Sequence, residues 1–256
     1  MGRLDDQVAV VTNGAQGLGA GAAEALAREG ATVLITGALD DGGFAATLRA
    51  RGLSVEYHQL DAGDTLAWAA LVDRVMRTHG HLDVLVNHAG ADISTTIEDA
   101  TAAQLREILE ADLVAPFLGT KAVIAAMRQS GGGSIINIAA NPVVAVLPLW
   151  ALYSAAKAAL VSLTESTAVH CVQRGYGIRV NAVHPGTHET QLLTDNAIRS
   201  TKAANLQALL GTLPGRPDGE YLDFAAAITF LAGEDSAQVT GAKIFCTGPL
   251  NPAERS

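Results

Sequence analysis

Residues 8–29 read VAVVTNGAQGLGAGAAEALARE, and they carry the first sign of an α/β fold. Its first five residues are apolar or β-branched and predict a buried strand, whereas the Ala-rich half from Gly17 onward predicts a helix. Between them, Gly14, Gly17 and Gly19 allow a sharp turn and let the backbone approach a pyrophosphate at the N-terminus of the helix. Because glycines also occur in ordinary strand-to-helix turns, the interpretation depends on the rest of the chain.

Short apolar runs alternate with longer helical patterns along the whole sequence. The predicted strands are Val8–Thr12, Thr32–Thr36, Ser54–Gln59, Val84–Val86, Ser134–Ile138, Ile178–Ala182 and Lys243–Phe245. The predicted helices are Gly17–Glu29, Gly43–Arg51, Thr65–His79, Ala102–Met127, Tyr153–Arg174 and Tyr221–Ala232, the fourth preceded by a Thr101/Gln104 capping box. Strands that are apolar throughout indicate helices on both faces of a parallel sheet. We therefore predict an α/β fold: one Rossmann-type domain over residues 1–256, with a doubly wound parallel sheet of about seven strands.

One stretch, Thr187–Glu220, departs from this alternation and follows the sixth strand. A long insertion at the carboxyl end of a strand is a candidate for a lid over a substrate site, which we predict for residues 187–220. A packed helical hairpin without an active role is the alternative.

Composition and charge exclude several classes of protein. A formal net charge of −9 argues against nucleic acid or an anionic membrane as partner. Apolar runs such as Val143–Leu149 are too short to span a bilayer, and the N-terminus has no signal region, so we expect a cytoplasmic protein. No metal site is predicted, because Pro185 and Gly186 separate His184 from His188 and no Cys or carboxylate completes a ligand set.

The glycine-rich turn resembles the Thr-Gly-x-x-x-Gly-x-Gly motif of the short-chain dehydrogenase/reductase family, with Asn13 in place of the first glycine. Asn is the non-glycine residue that best tolerates left-handed dihedral angles, so the turn is expected to survive. Residues 85–90, LVNHAG, resemble the family's Asn-Asn-Ala-Gly motif, with His88 replacing the second Asn. Residues 181–190, NAVHPGTHET, resemble its Pro-Gly segment beside the nicotinamide, and the resemblance runs from about Leu4 to Gly248.

The resemblance implies an NAD or NADP cofactor. The implied contacts are Asn13, Gln16, Gly17, Leu18, Gly19, Gly37, Asp61, Ala62, His88, Ala89, Gly90, Tyr153, Lys157, Pro185, Gly186, His188 and Thr190. Asp61 matches the acid that bonds the adenine amino group, whereas His88 either contacts the cofactor or fills a packed slot. The choice between NAD and NADP stays open, since Gly37 is not the acid expected for NAD, and neither Gln16 nor Ala38 is the base expected for NADP.

Tyr153 and Lys157 stand one helical turn apart, on one face of a predicted helix. A phenol with an ordinary pKa of about 10 is a poor base at neutral pH. A nearby ammonium and an oxidised nicotinamide both lower that pKa, so Tyr153 is expected to transfer the proton while hydride moves to or from the ring. The family pattern implies that Lys157 also bonds the nicotinamide ribose.

Two other positions of the family's catalytic set are changed. Thirteen residues before Tyr153 stands Ala140, where the family has a Ser that bonds the substrate oxygen. Asn141 could supply a substitute donor or could simply cap its loop. Asp112 replaces the family's helical Asn and could pair with Lys157, since a buried carboxylate without a partner would be costly.

Residues 134–138 and 175–181 are most similar to bacterial hydroxysteroid and cyclic-alcohol dehydrogenases, and Leu147, Leu149 and Trp150 predict an apolar pocket. The first hypothesis is interconversion of a secondary alcohol and a ketone on a mainly apolar, cyclic or steroid-like small molecule. The rival is a nucleotide-binding protein with impaired or absent catalysis, and a third is an altered reaction on an activated ketone. The resemblance also implies a homotetramer formed through the fourth and fifth helices.

Overall fold

The computed structural model describes residues 2–38, 42–88, 90, 93, 95–140, 150–185 and 222–246. Within them, parallel strands form a sheet in the order β3-β2-β1-β4-β5-β6-β7. The strands are β1 Val8–Thr12, β2 Thr32–Gly37, β3 Val55–Gln59, β4 Val84–Asn87, β5 Gly133–Ile138, β6 Ile178–Pro185 and β7 Lys243–Cys246. The helices are α1 Gly17–Arg28, α2 Gly42–Ala50, α3 Thr65–His79, α4 Ala102–Leu109, α5 Ala115–Gln129, α6 Ala151–Gln173 and α7 Leu222–Ala232. The predicted doubly wound parallel sheet is confirmed.

Helices cover both faces of this sheet, which explains why its strands are apolar throughout. Successive side chains of a strand point to opposite faces, so Ala9 and Val11 of β1 join one core cluster while Val8 and Val10 join the other. The first cluster lies under α1, α2 and α7, and the second under α3, α5 and α6. Helix α6, which carries the predicted catalytic pair, packs mainly against β6, next to the edge strand β7.

The residues predicted as a helix, Ala102–Met127, are helical throughout, but they are not one uniform α-helix. A π-helical turn at Glu110–Val114 separates α4 from α5. Pro116 explains the interruption, because it has no backbone N–H to donate to the carbonyl of Asp112 four residues earlier. The N–H of Ala115 instead reaches back five residues. Apolar spacing continues across the turn, so periodicity did not indicate it.

The predicted start of α4 is confirmed, and β6 is longer than predicted. Thr101 and Gln104 form the predicted capping box, with Gln104 N donating to Thr101 Oγ1 at 3.2 Å and Thr101 N donating to Gln104 Oε1 at 2.9 Å. Strand β6 continues three residues past its predicted end, to Pro185, because β7 pairs alongside it there. This extension carries His184 to the carboxyl edge of the sheet.

Candidate active site

The turn between β1 and α1 has the geometry expected of a phosphate-binding loop. Asn13 adopts a φ of 48°, the left-handed conformation predicted for the residue that replaces glycine, and Gly17 a φ of 54°. A Cβ on Gly17 would meet nothing within 4 Å, whereas one on Gly19 would lie 2.4 Å from both Asn13 O and His88 Nδ1. Gly17 therefore faces open space, and position 19 accepts only glycine.

The N-terminus of α1 presents its first backbone N–H groups without a side-chain cap. Gln16 is the N-cap residue, but its side chain makes no capping bond and instead donates to Asn13 Oδ1 at 3.2 Å. Uncapped N–H groups and the positive end of the helix dipole favour an anion in front of the turn. Leu18 is buried in the core, so its side chain faces away from the turn.

His88, at the end of β4, contacts this same turn. Its ring Nδ1 lies 3.1 Å from the carbonyl oxygen of Asn13, and its backbone N–H donates to Thr12 Oγ1 at 2.9 Å. Burial lowers the pKa of His88 to about 4, although the bond to Asn13 opposes that shift. The imidazole is therefore neutral near pH 7, and its contact with a carbonyl places the ring proton on Nδ1.

At the far end of the cleft, β2 and β3 supply the residues predicted to hold the adenosine. The carbonyl of Gly37 accepts from Tyr57 Oη at 3.0 Å, which joins the ends of the two strands. Asp61 is exposed, and its Oδ1 accepts from Gly63 N at 2.9 Å. The carbonyl of Ala62 accepts from the indole N–H of Trp68 at 3.0 Å, so the turn after β3 is anchored to α3.

Tyr153 and Lys157 lie on one face of α6, with Lys157 Nζ 5.6 Å from the centroid of the Tyr153 ring. Trp150 packs edge-on against that ring, with 6.3 Å between centroids. Lys157 Nζ also donates to the carbonyl of Ile138, at the end of β5, at 3.3 Å. The sequence-predicted pair thus sits where the carboxyl end of β5 meets α6.

Asp112 reaches the same point from the π turn. Its Oδ1 lies 2.8 Å from Lys157 Nζ, and both side chains are buried, at 0% and 4% exposure. Burial alone would lower the pKa of Lys157, but the charge of Asp112 and then that of Tyr153 outweigh it, so the pKa is raised. The expected pairing is confirmed, and Lys157 carries its proton at neutral pH.

Ala140 forms part of the wall beside this pair and offers only a methyl group. Its carbonyl accepts from His184 Nδ1 at 2.5 Å, and His184 stacks on Phe245 with 4.5 Å between ring centroids. Burial lowers the pKa of His184, which therefore is also neutral at pH 7. These residues line an open pocket of about 370 Å³ that also reaches Lys157.

The structure brings together only some of the predicted site. Gly90 lies close to Asp112, because a Cβ placed on it would be 3.9 Å from the carboxylate, and Pro185 ends β6 beside Cys246 of β7. The other predicted site residues lie outside the described residues: Ala89, Asn141, Gly186, His188, Thr190 and the proposed lid over residues 187–220.

Sequence reasoning missed a buried polar network beneath the site. Asn87 Nδ2 donates to Asn137 Oδ1 at 2.8 Å, and Asn137 Nδ2 donates to Thr164 Oγ1 of α6 at 2.8 Å. Asn87 Nδ2 also lies 3.2 Å from Thr120 Oγ1 of α5. An Asn among the buried isoleucines of β5 was the signal that could have indicated it. The network ties α5 and α6 to the sheet and so positions Tyr153.

A short-chain dehydrogenase family model, adh_short_C2, described as Enoyl-(Acyl carrier protein) reductase, matches residues 14–250. The chain belongs to the short-chain dehydrogenase/reductase family. Trans-4-hydroxycyclohexanecarboxylate dehydrogenase of Sinomonas cyclohexanicum is 35% identical over 255 residues, covering 96% of this chain and 93% of the relative. The 3-alpha-(or 20-beta)-hydroxysteroid dehydrogenase of Mycobacterium tuberculosis is 35% identical over 247 residues, covering 96% and 90%.

Solved structures agree with this assignment. A crystal structure from Burkholderia xenovorans described as a short-chain dehydrogenase/reductase is 30% identical, with a TM-score of 0.88 and 97% of each chain covered. Because the curated relatives of this family member are named dehydrogenases, the protein is an oxidoreductase that acts on a small molecule. Within the described ranges, no helix is long and apolar enough to cross a membrane, and no group of three or more metal-ligating side chains could hold an ion.

Proposed function

We propose that this family member interconverts a secondary alcohol and a ketone with NAD or NADP, on a mainly apolar, cyclic or steroid-like small molecule. The observation that carries the proposal is the buried ammonium of Lys157, 5.6 Å from the ring centroid of Tyr153. A cation there stabilises the phenolate relative to the phenol, as proton transfer to and from a substrate oxygen requires. The two named relatives act on ring-bearing molecules, which supports the same substrate class here.

The residues of the β1–α1 turn fit a nicotinamide dinucleotide. Open space in front of Gly17 and the uncapped N–H groups of α1 suit a pyrophosphate. We assign the phosphates to residues 13–19, the adenine to Asp61 and Ala62, and the nicotinamide ribose to Tyr153 and Lys157. When bound, the nicotinamide supplies or accepts the hydride.

The chain's own residues move the proton and orient the substrate. In reduction, Tyr153 Oη donates its proton to the substrate oxygen, and in oxidation the phenolate takes that proton back. Lys157 holds its charge beside the phenol and is itself held by Asp112 and by the carbonyl of Ile138. The edge-on ring of Trp150 gives the substrate side an apolar surface.

The test is reduction of a panel of cyclic ketones and 3-oxosteroids, followed through the nicotinamide absorbance with NADH and with NADPH. Turnover should be lost in Tyr153→Phe, since the variant lacks the phenolic proton that the substrate oxygen receives. Tyr176→Phe is the matched control: Tyr176 packs against His170 and Arg128, and its variant should keep wild-type turnover. Unchanged turnover in Tyr153→Phe would contradict the proposal.

One observation favours a second candidate, a nucleotide-binding protein with impaired or no catalysis. Ala140 places a methyl group where the family has a hydroxyl donor for the substrate oxygen, and losing one such donor typically costs about a hundredfold or more in rate. Titration with NADH and NADPH, read by energy transfer from Trp68 and Trp150, separates the two functions. Tight binding without turnover on any ketone would support the second candidate, and a preference for one dinucleotide would settle the cofactor.

We also propose a homotetramer that uses α5 and α6 in one interface. Phe117 on α5 and Val169 and Val172 on α6 are large apolar side chains that are 42%, 56% and 62% exposed. Exposed apolar groups on adjoining helices suit burial against a second copy of the chain. Light scattering should give four times the chain mass, and Val172→Lys should lower it; a monomeric wild type would contradict the assignment.

A further inference from the structure

The catalytic lysine is held in a buried ion pair rather than as an isolated cation. Asp112 Oδ1 lies 2.8 Å from Lys157 Nζ, and the two side chains are 0% and 4% exposed. Solvent ions screen exposed charge pairs but reach a buried pair much less. The field that Lys157 exerts on Tyr153 is therefore the field of a cation with a carboxylate beside it.

The local backbone fixes the position of the Asp112 carboxylate beside Lys157. Asp112 belongs to the π turn that Pro116 imposes between α4 and α5. Gly90 approaches it from the end of β4, since a Cβ there would be 3.9 Å from Oδ1. Asp112 is thus held next to the lysine by two elements, with no solvent-exposed position for its side chain.

Among the residues that the structure describes, four other ionisable groups near Lys157 add little charge near pH 7. His88, from β4, is neutral because burial lowers its pKa to about 4. His184, from β6, is neutral because burial lowers its pKa as well. Glu165 of α6 and Lys243 of β7, which line the pocket beside Lys157, pair with each other at 2.8 Å and are 46% and 42% exposed, so their fields are offset and screened.

We propose that Asp112 is a positioning residue that offsets the charge of Lys157 and thereby keeps the Tyr153 phenol protonated at neutral pH, which favours reduction of the ketone over oxidation of the alcohol. The inference rests on the proposed function. In reduction, the ketone carbon receives hydride from the reduced nicotinamide and the ketone oxygen receives the proton of Tyr153 Oη. The products are the alcohol, the oxidised nicotinamide and a phenolate, which regains its proton from solvent. Oxidation requires that phenolate at the start, so it needs higher pH.

The test is direct titration of the Tyr153 phenol, which requires no turnover. The chain has 4 tyrosines, and the absorbance of tyrosinate in the wild type minus that in Tyr153→Phe isolates Tyr153. In Asp112→Asn, which removes the charge and keeps the shape, the pKa of Tyr153 should fall by roughly one unit or more, because Lys157 is no longer offset. The protein is measured alone and with saturating oxidised dinucleotide.

A neighbouring carboxylate provides the matched control. Glu110 lies in the same π turn but is exposed to solvent, which screens its charge. Glu110→Gln removes one negative charge, as Asp112→Asn does, and should leave the pKa of Tyr153 unchanged. A purely structural role for Asp112 would lower the melting temperature of Asp112→Asn without moving that pKa, and this result would overturn the proposal. So would a rise in the pKa, which would mean that Lys157 had lost its proton.

Two further outcomes keep the inference separate from the proposed function. If Asp112→Asn does not fold, the wild type alone decides: its Tyr153 should stay protonated at neutral pH without dinucleotide, and titration near neutrality would overturn the inference. If no ketone is turned over but the titration shifts as expected, the proposed reaction fails and the electrostatic role of Asp112 stands. With turnover, the acid limb of alcohol oxidation should move down in pH in Asp112→Asn by the same shift.

Discussion

His88 Nδ1 lies 3.1 Å from the carbonyl oxygen of Asn13, so the two residues that differ from the family's nucleotide-binding motifs contact each other. The bond joins the end of β4 to the β1–α1 turn, and Gly19 lies directly beneath it. The two residues belong to different motifs and are 75 positions apart in the sequence. The contact shows that the turn keeps its left-handed Asn13 through support from a neighbouring strand.

Gly19→Ala should abolish tight dinucleotide binding. The added methyl would lie 2.4 Å from Asn13 O and His88 Nδ1, so the turn would have to move. Gly52→Ala is the comparison, because Gly52 lies in the turn after α2, its methyl would meet nothing within 4 Å and only its left-handed backbone would cost about 1 kcal/mol. Fluorescence titration with NADH and NADPH should show a much larger loss in Gly19→Ala; equal losses would contradict the crowding seen here.

The stability of the protein should rise with pH between about 4 and about 6.5 through His88. Its pKa is about 4 in the folded chain against an ordinary 6.5, so in that window the unfolded chain binds a proton that the folded chain does not. The contribution of His88 to the free energy of unfolding is fully present above pH 6.5 and decreases as pH falls to about 4. The total change is about 3 kcal/mol.

Urea unfolding at about pH 4.5 and about pH 7 measures how much the free energy of unfolding changes across this pH range. In His88→Asn, the urea midpoints at the two pH values should lie closer together than in the wild type. His170→Gln, at an exposed position on α6, should keep the wild-type difference. A wild-type slope in His88→Asn would show that other groups carry the pH dependence.

Ala140→Ser should raise the rate of ketone reduction by about tenfold to a hundredfold. A hydroxyl at position 140, where the family has its serine, could donate to the substrate oxygen. Steady-state kinetics should show the gain mainly in kcat, since the bond strengthens as negative charge develops. No gain would mean that the substrate oxygen is held by another donor.

Thr164→Val should destabilise the protein by roughly 1–3 kcal/mol, because it leaves Asn137 Nδ2 buried without its acceptor. Thr167→Val is the matched control on the same helix, since Thr167 Oγ1 donates only within its own helix, to Leu163 O at 2.7 Å. It should change stability by no more than about 0.5 kcal/mol. Thermal unfolding of the two variants compares them directly, and equal effects would argue against the network.

Features that depend on residues close in sequence were predictable. The Thr101–Gln104 capping box, the left-handed Asn13 and the helical spacing of Tyr153 and Lys157 involve interactions within one turn of chain. The alternation of apolar runs with helical patterns likewise determined the parallel sheet, since only helices on both faces can bury such strands. Family membership followed from the same short motifs.

Contacts between residues that are distant in the sequence became visible only in the folded chain. The Asp112–Lys157 pair had been a possibility, but its 2.8 Å distance and complete burial depend on the π turn that Pro116 imposes. The bond from Asn137 to Thr164 joins elements whose spacing no local pattern encodes. Hydrogen bonds and charge pairs between distant residues depend on how packed helices and strands are placed to within about 1 Å. Local patterns were therefore enough to predict the fold and the helical spacing of Tyr153 and Lys157, whereas the packing of distant elements sets the charges and hydrogen bonds around them.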